Sequence, residues 1–351
     1  MTYIAKPKFH HPNLPVNDLG LTRRDYEGAM STLCAGCGHD SVSAAIVEAC
    51  FELNLPAHRV AKMSGIGCSS KTPTYFLSQS HGFNSVHGRM PSVATGANLA
   101  NNSLKYIGVS GDGDTASIGF GQFAHAVRRQ VDMLYVVENN GTYGLTKGQF
   151  SATNDRSSVG RKGQKNAFES IDLVAVAIQL GASFVARGFS GDKDQLVPLI
   201  KAALSHKGFA FIDVISPCVT FNNHTGSTKS FEFVRDHEHT VTDMDYVPLR
   251  EEITADYEEG SVIDVTLHDE SSVRLRKLDA TYDPSDQAGA LQYMMERQAR
   301  GEVVTGLLYL DTGDTELKEK MDMTSVPLNS LGTADLRPGM TALETVNAGL
   351  R

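Results

Sequence analysis

Four short stretches of this 351-residue chain set cysteine or carboxylate side chains in loops of small residues. In Cys34-Ala35-Gly36-Cys37-Gly38 two thiols stand with two residues between them, a spacing that grips one metal ion or one face of an iron-sulfur cluster. Alone, the pattern leaves zinc, a thioredoxin-like dithiol and an iron-sulfur site open. A third cysteine follows in Ser64-Gly65-Ile66-Gly67-Cys68-Ser69-Ser70-Lys71, and a fourth in Ser216-Pro217-Cys218. Structural zinc is disfavoured, because the later two cysteines are isolated and do not form a second C-x-x-C. Cys50 shares a helical apolar stripe with Val42, Ala45, Ile46, Ala49 and Leu53, and reads as a core thiol.

Harder ligands occupy two other loops. Gly111-Asp112-Gly113 is separated by 25 residues from Asn139-Asn140. A carboxylate between glycines lets a diphosphate approach the backbone, and an Asn amide oxygen adds a second hard donor. With a backbone carbonyl beyond the Asn, two diphosphate oxygens and a water, these donors complete the octahedron that Mg²⁺ prefers. Either half alone reads as an ordinary turn. Together, each after a strand, they point to a metal-diphosphate site.

The elements that must position these loops alternate between strand-length apolar runs and amphipathic helices. After a helix following Gly38, strands are expected at 60–64, 106–110, 133–138, 183–187 and 209–215. Helices are expected at 93–102, 116–129, 171–180 and 193–206, with a Gly/Ser/Lys loop over 139–166. This is the pattern of an α/β fold with a mostly parallel sheet and helices on both faces. Cys68, Asp112, Asn140 and Cys218 each follow a predicted strand, so all four reach the edge formed by the strands' carboxyl ends, where open α/β sheets bind ligands. The chain divides into an extension over 1–29, a binding domain over 30–220 and a C-terminal docking extension over 221–351. That extension contains a hairpin over 261–278 and a helix over 284–300.

Composition sets outer bounds. With 32 Lys and Arg against 41 Asp and Glu, the formal charge is −9, which argues against nucleic acid and anionic membranes as partners. No apolar run reaches the ~18 residues of a membrane span, and the start of the chain lacks a signal-peptide apolar region. A cytoplasmic protein is expected.

The combination of Cys-Ala-Gly-Cys-Gly, Gly-Ile-Gly-Cys-Ser-Ser-Lys, His87-Gly88-Arg89, the Gly-Asp-Gly and Asn-Asn pair, Tyr143-Gly144-Leu145-Thr146-Lys147-Gly148-Gln149 and Ser-Pro-Cys resembles the β subunits of 2-oxoacid:ferredoxin oxidoreductases. It is most similar to the 2-oxoglutarate branch. The resemblance covers roughly residues 30 to 225.

The resemblance implies a thiamine diphosphate-binding fold and three cofactors: thiamine diphosphate, Mg²⁺ and one 4Fe-4S cluster. Cys34, Cys37, Cys68 and Cys218 match the cluster ligands. Asp112, Asn140 and the carbonyl of Thr142 match the Mg²⁺ ligands. Ile66, Gly67, Cys68, Ser69, His87, Gly113, Asp114, Gly144 and Leu145 match the thiamine diphosphate lining, and Lys71 matches a position near the 2-oxoacid. Lys71 and His87 are the catalytic candidates. The implied reaction is CoA-dependent oxidative decarboxylation of a 2-oxoacid to an acyl-CoA and CO₂, with one-electron transfers through the cluster to ferredoxin. No motif-anchored Glu is evident to activate the aminopyrimidine, since Glu27, Glu48 and Glu52 lie in ordinary contexts, so the resemblance implies a partner α subunit in an α₂β₂ assembly.

Other readings fit parts of the pattern. The substrate could be pyruvate or a branched-chain 2-oxoacid, or the chain could serve a non-oxidative thiamine-dependent decarboxylase or synthase. A non-catalytic electron-transfer or scaffold subunit would not need the Asp112 and Asn140 pair. Local basic patches at Arg128-Arg129 and over 161–165 offer an acidic ferredoxin a docking point. His10-His11 reads as a flexible terminus.

Overall fold

The computed structural model describes residues 12–160, 163–247, 262–266, 272–277, 279, 282–337 and 339–350. The first cysteine loop runs into α1 (Gly38–Glu52), followed by β1 (Val60–Ser64) and a short β2 (His81–Asn84). Next come α2 (Met90–Ala100), β3 (Lys105–Gly111), α3 (Phe120–Arg129) and β4 (Met133–Asn139). A small hairpin of β5 (Thr142–Tyr143) and β6 (Gln149–Phe150) opens the long loop. That loop leads to α4 (Leu173–Gln179), β7 (Phe184–Phe189), α5 (Lys193–Ser205) and β8 (Phe209–Ile215). Beyond it lie α6 (Phe231–His237), β9 (Glu238–Thr240), β10 (Thr242–Val247), β11 (Val262–Thr266), β12 (Ser272–Lys277), α7 (Gln287–Ala299) and β13 (Val303–Leu310).

The main sheet has the order β2-β1-β3-β4-β8-β7-β13-β9. The six strands from β2 to β7 are parallel, and β13 joins β7 antiparallel. Strands β4 and β8 are buried at every residue, as parallel strands covered on both faces must be. On one face α1 and α5 bring Ile46, Cys50, Leu199 and Ala203 into a core with Val136 and Ile212. On the other face α2, α3, α4 and α7 enclose Phe123, Tyr135, Phe209 and Phe211, whose rings meet edge-on or tilted. Asp172 and Asp192 cap α4 and α5 by accepting from backbone N–H groups of their first turns.

The parallel sheet bears out the expected fold, and the structure adds three differences. The helix expected from residue 116 is a wide helical turn over Gly113–Ile118, with α3 starting only at Phe120. The sheet continues past residue 220, because β9 and β13 complete its far edge. The hairpin of β11 and β12 forms, and β10 joins it to make a small separate sheet. Among the described residues no helix is long and apolar enough to cross a membrane. Arg161, Lys162, His10 and His11 lie outside the described residues.

Candidate functional site

The strands deliver their loops to one cleft at the carboxyl edge of the sheet. Its wall contains Ile66, Gly67, Cys68 and Ser69 after β1, and His87 after β2. Asp112, Gly113 and Asp114 follow β3, and Asn140, Thr142, Gly144 and Leu145 follow β4. Every residue that the sequence assigned to thiamine diphosphate or Mg²⁺ therefore faces one space. Lys71 does not line it. That residue sits on the helical turn after Cys68, with Nζ 3.5 Å from the Thr32 carbonyl oxygen.

Asp112 and Asn140 are held side by side by the backbone. Asp112 Oδ1 accepts from the Asn140 N–H at 3.3 Å, and Asn140 Oδ1 accepts from the Thr142 N–H at 3.0 Å. The other Asp112 oxygen accepts from Ser151 and, at 2.5 Å, from Thr153. Burial pushes the Asp112 carboxyl above its usual range, and the Ser151, Thr153 and Asn140 donors pull it partly back. A carboxylate, an amide oxygen and the nearby Thr142 form an oxygen donor set that suits Mg²⁺, and a bound cation would restore the carboxylate. Glycine is needed beside it. A Cβ on Gly113 would stand 2.5 Å from the Tyr143 ring, whose hydroxyl donates to the Gly113 carbonyl at 2.9 Å. Asp114 braces the wall, with Oδ1 accepting from the Gly88 N–H at 2.8 Å and Oδ2 from Ser110 at 3.0 Å. It thereby fixes the loop that carries the exposed His87.

The three loops that carry the four cysteines meet at one corner of the same cleft. The Cys37 N–H donates to the Cys34 carbonyl at 3.0 Å, and the Gly38 N–H reaches the Pro217 carbonyl at 3.5 Å, which ties the first loop to the last. A Cβ on Gly144 would lie 3.4 Å from Cys68 Sγ and 3.5 Å from Cys218 Sγ, so those sulfurs flank the glycine. Burial raises the Cys37 thiol to about 12, and the charges of Cys218 and Cys68 reinforce the shift. Burial also raises Cys68, with Cys218 and Cys34 adding to it. All four cysteines are free thiols. The side chains are gathered without closing on a centre, since among the described residues no group of three or more His, Cys, Asp or Glu stands ready to hold a metal ion. Four thiols at one cleft corner, beside a glycine that leaves space open, nevertheless make a donor set fit for an iron-sulfur cluster. Cys50 is fully buried in the core, and burial raises its thiol to about 12.

Sequence reasoning missed two residues of this wall. Glu138, the last-but-one residue of β4, is fully buried and lines the cleft, with Thr72 Oγ1 2.9 and 3.0 Å from its two oxygens. His39 Nδ1 lies 3.7 Å from Glu138 and 2.6 Å from Ser216 Oγ. Burial raises Glu138 well above the usual carboxylate range, with Thr72 pulling it partly back, and lowers His39 to about 4, so the imidazole is uncharged at neutral pH. A charged residue ending the apolar run Met-Leu-Tyr-Val-Val-Glu was the available signal. Glu27 and Glu48 pair with Arg23, and Glu52 pairs with Lys201, as surface residues do.

The family model of the C-terminal TPP binding domain of thiamine pyrophosphate enzymes matches residues 65–214. The chain is 44% identical over 194 residues to the 2-oxoacid:ferredoxin oxidoreductase subunit beta of Saccharolobus solfataricus, across 55% of this chain and 64% of that one. It is 39% identical over 192 residues to the 2-oxoglutarate synthase subunit KorB of Methanocaldococcus jannaschii, across 54% of this chain and 69% of that one. For three 2-oxoacid:ferredoxin oxidoreductase β subunits the chain spans 63%, 64% and 65% of the relative's length, just under two thirds. The fold is similar to a solved 2-oxoglutarate:ferredoxin oxidoreductase from Magnetococcus marinus with 2-oxoglutarate, coenzyme A and succinyl-CoA bound. That match has a TM-score of 0.68 at 30% identity, over 87% of this chain and 92% of that one.

Proposed function

Because this chain belongs to the family of 2-oxoacid:ferredoxin oxidoreductase β subunits, we propose that it is the cofactor-bearing subunit of a cytoplasmic, CoA-dependent 2-oxoglutarate:ferredoxin oxidoreductase. The balanced reaction takes one 2-oxoacid, one CoA and two oxidised ferredoxins to one acyl-CoA, one CO₂, two reduced ferredoxins and a proton. With 2-oxoglutarate the product is succinyl-CoA. The observation that carries this reading is the convergence of the Asp112 and Asn140 pair with the three loops of four cysteines on one cleft.

Thiamine diphosphate, when bound, supplies the electron sink for decarboxylation. The chain's own residues do the rest. Asp112, Asn140 and the Thr142 carbonyl hold Mg²⁺, and Gly113 leaves room for the diphosphate. Ile66, Leu145 and the Gly67 to Ser69 turn pack along the cofactor, and His87 donates from a loop that Asp114 fixes. Cys34, Cys37, Cys68 and Cys218 bind the 4Fe-4S cluster, so electrons have an acceptor in the same chain. Lys71, outside the cleft wall, meets the substrate carboxylate at the rim. The carboxylate that activates the aminopyrimidine comes from a partner α subunit in an α₂β₂ assembly, because Glu138 is buried and already takes up the Thr72 hydroxyl.

Several relatives are named for 2-oxoglutarate, which favours that substrate over pyruvate. Co-expression with the α subunit under anaerobic conditions, followed by CoA-dependent dye reduction, tests the choice. The expected kcat/KM is at least tenfold higher for 2-oxoglutarate than for pyruvate, a gap of ~1.4 kcal/mol in transition-state binding. Equal or reversed preference contradicts it.

A further inference from the structure

Behind the cleft, the Thr153 hydroxyl has three oxygens within reach. Asp112 Oδ2 is 2.5 Å away, Ser151 Oγ is 2.9 Å away and Asn139 Oδ1 is 3.1 Å away. One hydroxyl carries one proton, so it serves one of them at a time. The Asn139 amide faces this way because its Nδ2 donates to Asp213 Oδ1 at 3.0 Å. Asp213 is itself fixed, since its other oxygen accepts from Arg187 Nε at 3.2 Å, across the β7 and β8 register pair Arg187↔Asp213. Arg187 Nη2 reaches Asp172 Oδ1 at 2.5 Å, and that same oxygen caps α4 through the Val174 and Ala175 N–H groups.

Neither Arg187, Asp213 nor Asp172 lines the cofactor cleft, yet this chain of contacts ends on Asp112. A partly buried ion triad gives little net stability over apolar side chains of the same volume. What it gives here is direction. With the amide reversed, Asn139 would offer N–H groups to Thr153, the hydroxyl proton would be left to Asp112 and to Ser151, which itself donates to Asp112, and on Asp112 it would compete with a cation. With the amide as it stands, a cation can take the Asp112 oxygen while the proton turns to Asn139, and no buried donor is stranded.

We propose that Arg187, acting through Asp213 and Asn139, is a positioning residue for the divalent cation held by Asp112 and Asn140. This rests on the cofactor reading above. The test uses Mn²⁺ as a paramagnetic substitute for Mg²⁺, titrated with thiamine diphosphate into the full chain co-purified with its partner subunit and read by EPR. Arg187→Lys keeps the charge but loses the two-point fork, and Thr153→Val keeps the shape but loses the proton. Arg187→Lys is expected to weaken Mn²⁺ binding about tenfold, the usual effect of groups behind metal ligands, whereas Thr153→Val, with no proton to compete for Asp112, should bind within twofold of the parent. In the double variant the Arg187→Lys loss should disappear, because both changes act along one path. If Arg187→Lys does not fold, Asn139→Ala takes its place in the cycle. An Arg187→Lys affinity within twofold of the parent, or an equal loss in the double variant, overturns the inference. A parent that binds no Mn²⁺ with thiamine diphosphate overturns the cofactor reading and this inference together, so the two failures are distinguishable.

Discussion

A methyl group on Gly144 would touch Cys68 Sγ at 3.4 Å and Cys218 Sγ at 3.5 Å, ordinary contact distances for free thiols. The same space is where iron and sulfide would lie if those sulfurs share a cluster. Gly144→Ala is therefore expected to fold with a thermal midpoint within about 3 °C of the parent, under ~1 kcal/mol, while losing most of its iron. Full iron content in the variant, measured on anaerobically purified protein, would place the cluster elsewhere. Much of this site was legible in the sequence, because Cys34, Cys68, Asp112 and Asn140 sit in short glycine loops directly after cysteine or strand signals. Glu138, His39 and Thr153 were not, since each acts only through a neighbour distant in the chain: Thr72, Ser216 and Asp112. Asp114, assigned to the cofactor lining, is in the cleft wall, and its carboxylate accepts from the Gly88 N–H and the Ser110 hydroxyl.

Among the elements, β1 carries a cost that pH can expose. Lys62, half-way along it and almost fully buried, donates to the Phe76 and Leu77 carbonyls at 2.6 and 3.0 Å, and burial lowers its ammonium to about 8 from an ordinary 10.5. Below about 8 it is charged both folded and unfolded, and the folded chain bears the full desolvation. Between about 8 and 10.5 the unfolded chain binds more protons than the folded one, so stability from this group rises with pH. Urea midpoints of Lys62→Met and parent should thus converge or cross in the parent's favour across that window. A difference that stays constant with pH contradicts the assignment. The run Val60 to Ser64 reads as a strand despite its lysine, because the four other residues fit a buried parallel position. By contrast β13 was missed, although Val-Val-Thr-Gly-Leu-Leu-Tyr-Leu is apolar, because its partner β7 lies more than a hundred residues earlier and periodicity is blind to such pairing. The wide turn at Gly113–Ile118 was read as helix for a related reason: its sequence is compatible with both.

For the whole molecule, the alternation of strands and helices was enough to place four loops on one sheet edge, and the sheet order bears that out. What lies across the cleft was not legible, because in the proposed assembly those contacts belong to another chain. Ile118 and Leu145 line the cleft and stand exposed, Val86 beside His87 is exposed too, and the helix Met340–Gly349 buries none of its residues. Large exposed apolar side chains beside a binding cleft mark a surface that a partner covers. The central claim is that one chain unites a decarboxylating cofactor with a cluster that takes its electrons, and that a partner subunit completes the site. Visible absorbance of the anaerobic sample on adding 2-oxoglutarate and CoA tests this most directly. The prediction is bleaching of the brown cluster band with succinyl-CoA formed, in the assembled complex and not in the isolated chain or in an Asp112→Ala complex. Succinyl-CoA formation with the band unchanged, or turnover by the isolated chain, would contradict it.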